Sequence, residues 1–253
     1  MAKNDRNEDG LKKMSLGDHL EELRARLILA LMGLVGSFFV SLLLGKWFLR
    51  VVLSPYEMAM KDMGLELQLL AFEVAEPFVI YLKASLVLGA LISSPWLFYQ
   101  AWAFISAGLY ANERKFVRIV WPISATLFII GVLFFLLLIA PWAFKFFIGF
   151  DTGVDYVNYQ PSLTKSTHFI WILSLIFGVA FQSPIAIVFS ERMGLVTVET
   201  LRNVRKYVLL GCFVVSAIAT PPDPISQVSL AIPLYILYEG SIIVCCVWKK
   251  RRS

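Results

Sequence analysis

Six apolar runs, each bounded by polar or charged residues, constrain this chain more than any other feature. A helix rises about 1.5 Å per residue, so roughly 20 apolar residues cross a hydrocarbon core of about 30 Å. The runs lie at about 27–48, 77–105, 116–147, 169–189, 207–220 and 225–248. They predict one all-α membrane domain over residues 1–253, with six transmembrane helices. The fifth run is short, and Pro233 and Glu239 shorten the unbroken part of the sixth.

Composition agrees with a membrane protein. Charged residues make up 16% of the chain, against roughly 25% in ordinary soluble domains. The net charge of +5 is too small to indicate nucleic acid. The first 14 residues are polar, without an apolar core, so we expect a polar tail there and no removable signal peptide.

The positions of the basic residues predict the orientation. If the N-terminus is cytoplasmic, that face carries seventeen Lys and Arg, including the basic tail at 249–253, and the opposite face carries five. Cytoplasmic segments carry the excess of basic residues. We therefore expect both termini in the cytoplasm, and a bacterial inner membrane is the expected location.

Prolines predict a bent and packed scaffold rather than six straight rods. The sequence TPPDP at 220–224 predicts a tight turn between the last two helices. Pro95, Pro122, Pro141 and Pro184 fall within other spans, where neighbouring groups must satisfy the freed backbone atoms. The longest outer loop is predicted at 49–76, either as short amphipathic helices lying on the membrane or as irregular chain.

The sequence HLEELRARL, residues 19–27, lies where the first apolar run begins. Leucines recur at helical spacing and Ser15 with Asp18 matches a capping box, so we expect an amphipathic cytoplasmic helix over 15–26. Glu22 and Arg26 form an i,i+4 pair in the favourable order. One interpretation is simply a surface helix with salt bridges.

A second interpretation comes from the loop between spans two and three. Glu113 lies there, so Glu22 and Glu113 are two carboxylates near one membrane face. A carboxylate accepts the flat donor fork of arginine in a bidentate manner, which lysine cannot reproduce. Two such acids would suit a ligand with two guanidinium groups.

Lys83, Gln182 and Glu239 are the clearest polar residues within the apolar runs. Charged residues at membrane depth are expensive and indicate function by default. Lys83 and Glu239 could instead snorkel or pair, and Gln182 could hydrogen-bond between helices.

A small-solute transporter using these three residues is one alternative, although no internal repeat is visible. An intramembrane enzyme is another, but the usual nucleotide, protease and hydrolase motifs are absent, and we expect no enzyme activity, metal or cofactor.

Five stretches in order resemble the TatC family, the multispanning core of the twin-arginine protein translocase. The stretches are HLEELRARL at 19–27, LSPYE at 53–57, FYQAWAFISAGLYANERK at 98–115, FGVAFQSPIAIV at 177–188 and TPPDPISQVSLAIPLYILYE at 220–239. The resemblance implies a cupped fold of six helices with cytoplasmic termini and short fifth and sixth helices. It also implies binding of the twin-arginine signal peptides of folded proteins, and export driven by the proton-motive force.

The resemblance also implies roles for individual residues. Signal binding falls on Glu22, Arg24, Gln100, Phe104 and Glu113. Gln182 stands where the family often carries a glutamate, which implies a hydrogen-bonding rather than a proton-carrying residue.

The implied partners are the single-span subunits TatA and TatB, the bilayer and further copies of the chain. Asp223 and Glu239 are implied in assembly, because the fifth and sixth helices dock the single-span subunits. Pro55 matches a proline that shapes the outer cap.

Overall fold

A computed structural model of the protein describes residues 16–108, 111–150, 161–219 and 224–252. Nearly all of these residues are helical. The helices are α1 (Leu16–Asp62), α2 (Glu76–Ala107), α3 (Ala111–Phe134), α4 (Ala140–Gly149), α5 (Leu163–Ala180), α6 (Ser183–Arg192), α7 (Val198–Asn203), α8 (Arg205–Ala219) and α9 (Pro224–Arg252), with a π-helical turn at Phe135–Ile139. Within the described residues, five stretches are long and apolar enough to cross a membrane: His19–Asp62, Glu76–Ala107, Val117–Gly149, Leu163–Arg192 and Gln227–Trp248. Helix α8 has only 15 residues, or about 22 Å, as expected for the short fifth run.

Helix α1 is one continuous helix of 47 residues, about 70 Å long at the usual rise. It joins the helix predicted from residue 15 to the first span without a break; Ser15 itself lies outside the described residues. The predicted loop at 49–76 is shorter than expected, because residues 49–62 continue α1 through Pro55. Proline removes a backbone donor to the carbonyl four residues earlier. Here the Ser54 hydroxyl donates to that carbonyl, Val51 O, at 2.7 Å.

The prolines act differently from one another. Pro95 and Pro122 lie inside α2 and α3 and do not end them. Pro141 follows the π-helical turn, where the Ala140 N–H bonds to Phe135 O five residues back, a local widening of the helix. Pro184 opens α6 just after the break that separates it from α5. Only two of the four prolines predicted to interrupt spans therefore accompany an irregularity.

Helices α1 and α2 pack closely along their length. A Cβ added at Gly89 would lie 2.9 Å from Phe38 Cα, so only glycine permits this approach of the two backbones. Hydrogen bonds fix the register: Trp96 Nε1 donates to Leu29 O at 2.9 Å, and Ser41 Oγ donates to Ser85 O. Small residues at the contact are the usual device for close helix pairs in membranes.

The main core lies among α1, α2, α3–α4 and α5 and includes the fully buried Tyr56, Phe135 and Phe177. A smaller cluster around Tyr238 and Ile242 joins α9 to α7. We call the end of the bundle with the start of α1 and the end of α2 the N-face. We call the opposite end, with residues 63–75 and the starts of α2 and α5, the far face.

Candidate functional site

The first turns of α1 carry an ion pair at the N-face. Arg26 Nε lies 2.9 Å from Glu22 Oε1, and the two side chains are 30% and 25% exposed. The pair follows from helical geometry, which brings residues i and i+4 together. Glu21 and Arg24 lie on the exposed part of the same helix. Glu22 is therefore an oriented carboxylate that solvent, or a ligand, still reaches.

Helix α2 supports this segment from the side. Arg26 Nη1 donates to Gln100 Oε1 at 3.2 Å, and Gln100 is almost fully buried at 2% exposure. Nearer the end of α2, the Phe104 ring stacks on His19 with a centroid separation of 4.5 Å and an interplanar angle of 25°. These contacts hold the start of α1 against the end of α2.

Three residues predicted from the sequence, Glu22, Gln100 and Phe104, thus lie in one group at the N-face, with Gln100 itself buried. Arg26 and His19 complete it. From the sequence, Arg26 was predicted only as the local partner of Glu22, and no role was predicted for His19 in HLEELR. We call the group of His19, Glu22, Arg26, Gln100 and Phe104 the N-face cluster.

Glu113 is the third residue of α3. This helix begins at Ala111, shortly after α2 ends at Ala107. Its backbone position is thus at the N-face, while its side chain lies outside the described residues. Asp223 also lies outside the described residues. The N-face cluster is therefore built from α1 and α2, with α3 beginning nearby.

Gln182 lies in the break between α5 and α6. Its Nε2 donates to Ser124 O on α3 at 3.0 Å, and Trp102 Nε1 donates to the Ser124 hydroxyl at 2.8 Å. The amide therefore joins two spans through a partly buried hydrogen bond. The role of Gln182 in transport stays a prediction.

The other two intramembrane candidates have separate environments. Lys83 is exposed on α2, seven residues after the helix begins. Glu239 on α9 pairs with Arg205 at the start of α8 at 2.8 Å and accepts a hydrogen bond from Tyr235 OH at 2.8 Å. The three polar residues considered for a solute path thus lie in different parts of the fold: Lys83 is exposed on α2, Gln182 contacts α3, and Glu239 pairs with Arg205.

A buried carboxylate at the far face was not predicted. Glu76, 7% exposed, accepts from the backbone N–H groups of Phe72 at 2.6 Å, Glu73 at 3.2 Å and Thr164 at 2.9 Å. It therefore ties the loop before α2 to the first turn of α5. The available signal was an acid just before Pro77, at a helix start, where negative charge is favourable.

The apolar helices and the charged N-face together define a polytopic α-helical membrane protein. A family model described as "Sec-independent protein translocase protein (TatC)" matches residues 18–233. The chain therefore belongs to the TatC family. This result confirms the family predicted from the five sequence stretches.

Relatives and a solved structure agree over almost the whole chain. The chain is 36% identical to Sec-independent protein translocase protein TatC of Desulforapulum autotrophicum, over 96% of this chain and 88% of that protein. It is 35% identical to the TatC protein of Escherichia coli K12, over 87% and 84%. A crystal structure of "Twin Arginine Translocase Receptor- TatC" superposes with a TM-score of 0.79 at 33% identity, covering 90% of this chain and 98% of that one. The predicted all-α membrane fold is confirmed.

Proposed function

We propose that this chain is the receptor subunit of a twin-arginine translocase and binds the signal peptides of folded precursor proteins at the N-face. The observation that carries the proposal is the partly exposed Glu22 carboxylate, oriented at the end of a membrane span by Arg26. A guanidinium from another chain can approach the same carboxylate. Glu113, at the start of α3, supplies the second acid for the second arginine.

The electrostatics of the N-face cluster favour exchange rather than permanent pairing. Arg26 has a second acceptor in Gln100, so its guanidinium keeps a hydrogen bond if an incoming arginine displaces it from Glu22. Arg24 is exposed next to this site and would contact backbone or polar groups of the bound peptide. The Phe104 ring, stacked on His19, would meet the apolar part of the signal peptide.

The chain acts in a membrane complex of the translocase, and we infer that its partners are the single-span subunits TatA and TatB and other copies of itself. Glu239 and Asp223, on and before α9, are the residues we assign to assembly. The buried Pro55 shapes the far end of α1. Transport would draw on the proton-motive force, as membership of the TatC family implies.

The excess of basic residues at the N-face supports an orientation with both termini in the cytoplasm of a bacterium, and the inner membrane as the location. In this orientation the N-face cluster meets signal peptides before export. The far face is then the outer surface.

Equilibrium binding tests the proposal directly. The chain in nanodiscs is titrated with a fluorescent twin-arginine signal peptide and with its twin-lysine form. Glu22→Gln should weaken binding of the arginine peptide about 10- to 100-fold, because hydrogen bonds to charged groups contribute about 1.5–3 kcal/mol. Glu21→Gln, an exposed neighbour, is the matched control and should bind normally. Equal binding by wild type and Glu22→Gln would refute the assignment.

A further inference from the structure

The segment 72–78 at the far face exposes its apolar side chains together with Glu73, and it buries its other acid, Glu76. Phe72, Val74 and Phe78 are 70%, 104% and 63% exposed, whereas Glu76 is 7% exposed. On a protein surface in contact with water, charged side chains are usually exposed and large apolar side chains usually buried. Apolar side chains clustered on a surface in this way mark contact with something other than water.

The arrangement is held by specific bonds. The Glu76 carboxylate accepts from the backbone of Phe72 at 2.6 Å and of Glu73 at 3.2 Å, which curls the segment around the acid. The same carboxylate accepts from Thr164 N at 2.9 Å. A parallel bridge between Leu70 and Ser162 fixes the chain just before the segment. The outward direction of the apolar groups is therefore built into the fold.

Residues along α2 place this segment relative to the bilayer. Lys83 is exposed and lies about 10 Å from the start of the helix, and a lysine at that depth extends its amine to the headgroups. Trp96 and Tyr99, 42% and 40% exposed, lie about 20–24 Å further along, where aromatic rings favour the opposite interface. The hydrocarbon core thus lies mainly between Lys83 and Tyr99, and the start of α2 lies in the headgroup layer of the far face.

We propose that residues 72–78 form an interfacial anchor that inserts Phe72, Val74 and Phe78 among the lipid headgroups and upper acyl chains of the far leaflet. The exposed apolar Val79 continues this surface directly into the lipid-facing side of α2. Lys83 extends towards the lipid phosphates beneath the anchor. Because Glu76 also holds Thr164, the anchor sets the height of the first turn of α5 in the membrane.

Spin-label accessibility tests the anchor. Nitroxide labels are placed singly at positions 72 and 74 in a full-length chain whose Cys212, Cys245 and Cys246 are replaced by alanine, with one copy per nanodisc. Leu86→Cys, 50% exposed on α2 between Lys83 and Tyr99, serves as the lipid control, and Lys61→Cys, an exposed residue in the last turn of α1, serves as the water control. Power saturation then compares collisions with oxygen, which is concentrated in lipid, and with a water-soluble nickel chelate.

We expect the oxygen-to-nickel ratio at positions 72 and 74 to exceed that at 61 severalfold and to approach that at 86. A ratio equal to that at 61 would overturn the proposal and place the segment in water. Shielding from both reagents would also overturn it, in favour of a surface covered by protein. A thermal unfolding midpoint equal to that of the unlabelled chain establishes that the label has not unfolded it.

Discussion

Arg26 of α1 donates a hydrogen bond from Nη1 to the side-chain oxygen of Gln100 on α2, 74 positions later in the chain. Nε of the same guanidinium lies 2.9 Å from Glu22 Oε1. One arginine thus joins an acid at the end of the first span to a buried amide of the second. The pairing orients Glu22 without burying it.

The Glu22–Arg26 pair itself should contribute little to signal binding. A partly exposed i,i+4 ion pair contributes about 0.3–0.5 kcal/mol, which corresponds to about a twofold change in affinity. Arg26→Gln should therefore change the affinity for a twin-arginine peptide less than about threefold, measured by titration in nanodiscs. A loss as large as that of Glu22→Gln would instead assign Arg26 a direct contact with the peptide.

The stack of His19 on Phe104 should hold the start of α1 in place. Aromatic pairs contribute about 0.5–1.5 kcal/mol beyond burial. Phe104→Ala should therefore raise amide hydrogen exchange of residues 20–26 about 2- to 10-fold, since exchange there proceeds through local opening. Phe104→Trp should keep the slow exchange, and Ile105→Ala, at an exposed neighbouring position, is the control. Unchanged exchange in Phe104→Ala would show that the stack does not restrain the helix.

The close contact at Gly89 should tolerate no side chain. An added methyl group would lie 2.9 Å from Phe38 Cα and must push α1 and α2 apart, at a cost of about 1–3 kcal/mol. Gly89→Ala should lower the thermal unfolding midpoint in detergent micelles. Gly36→Ala is the matched control, since no atom lies within 4 Å of its added Cβ and alanine favours the helix. Equal midpoints for the two variants would contradict the close packing.

The ion pair between Arg205 and Glu239 should couple α8 to α9. Its side chains are 44% and 28% exposed, so solvent screening limits the contribution to about 1 kcal/mol at most. Arg205→Glu and Glu239→Arg should each lower the thermal midpoint, and the double variant should recover most of the loss. Additive losses in the double variant would mean that the two charges do not interact.

Hydrophobic periodicity was enough to predict the helical class, the approximate spans and the short α8, because each of these depends on neighbouring residues in one segment. The i,i+4 pair of Glu22 and Arg26 was predictable for the same reason. The continuation of α1 through Pro55 was not, since it depends on the Ser54 hydroxyl satisfying Val51 O.

Contacts between helices could not be predicted from neighbouring residues in the sequence either. Arg26 meets Gln100, and Glu76 meets Thr164, only because the folded bundle brings distant segments together. The resemblance to TatC proteins named Gln100 and Phe104 as site residues. Their contacts with Arg26 and His19 came only with the structure.

Photo-crosslinking from the signal peptide tests the central claim most directly. A twin-arginine peptide carries a photoreactive residue beside its arginines, and the crosslinked positions are mapped by mass spectrometry on wild-type, Glu22→Gln and Glu21→Gln chains in membranes. We predict crosslinks to the segments around residues 22 and 113, lost with a twin-lysine peptide and in Glu22→Gln but retained in Glu21→Gln. Undiminished crosslinking in Glu22→Gln, or crosslinks confined to other parts of the chain, would contradict recognition of the arginines at the N-face.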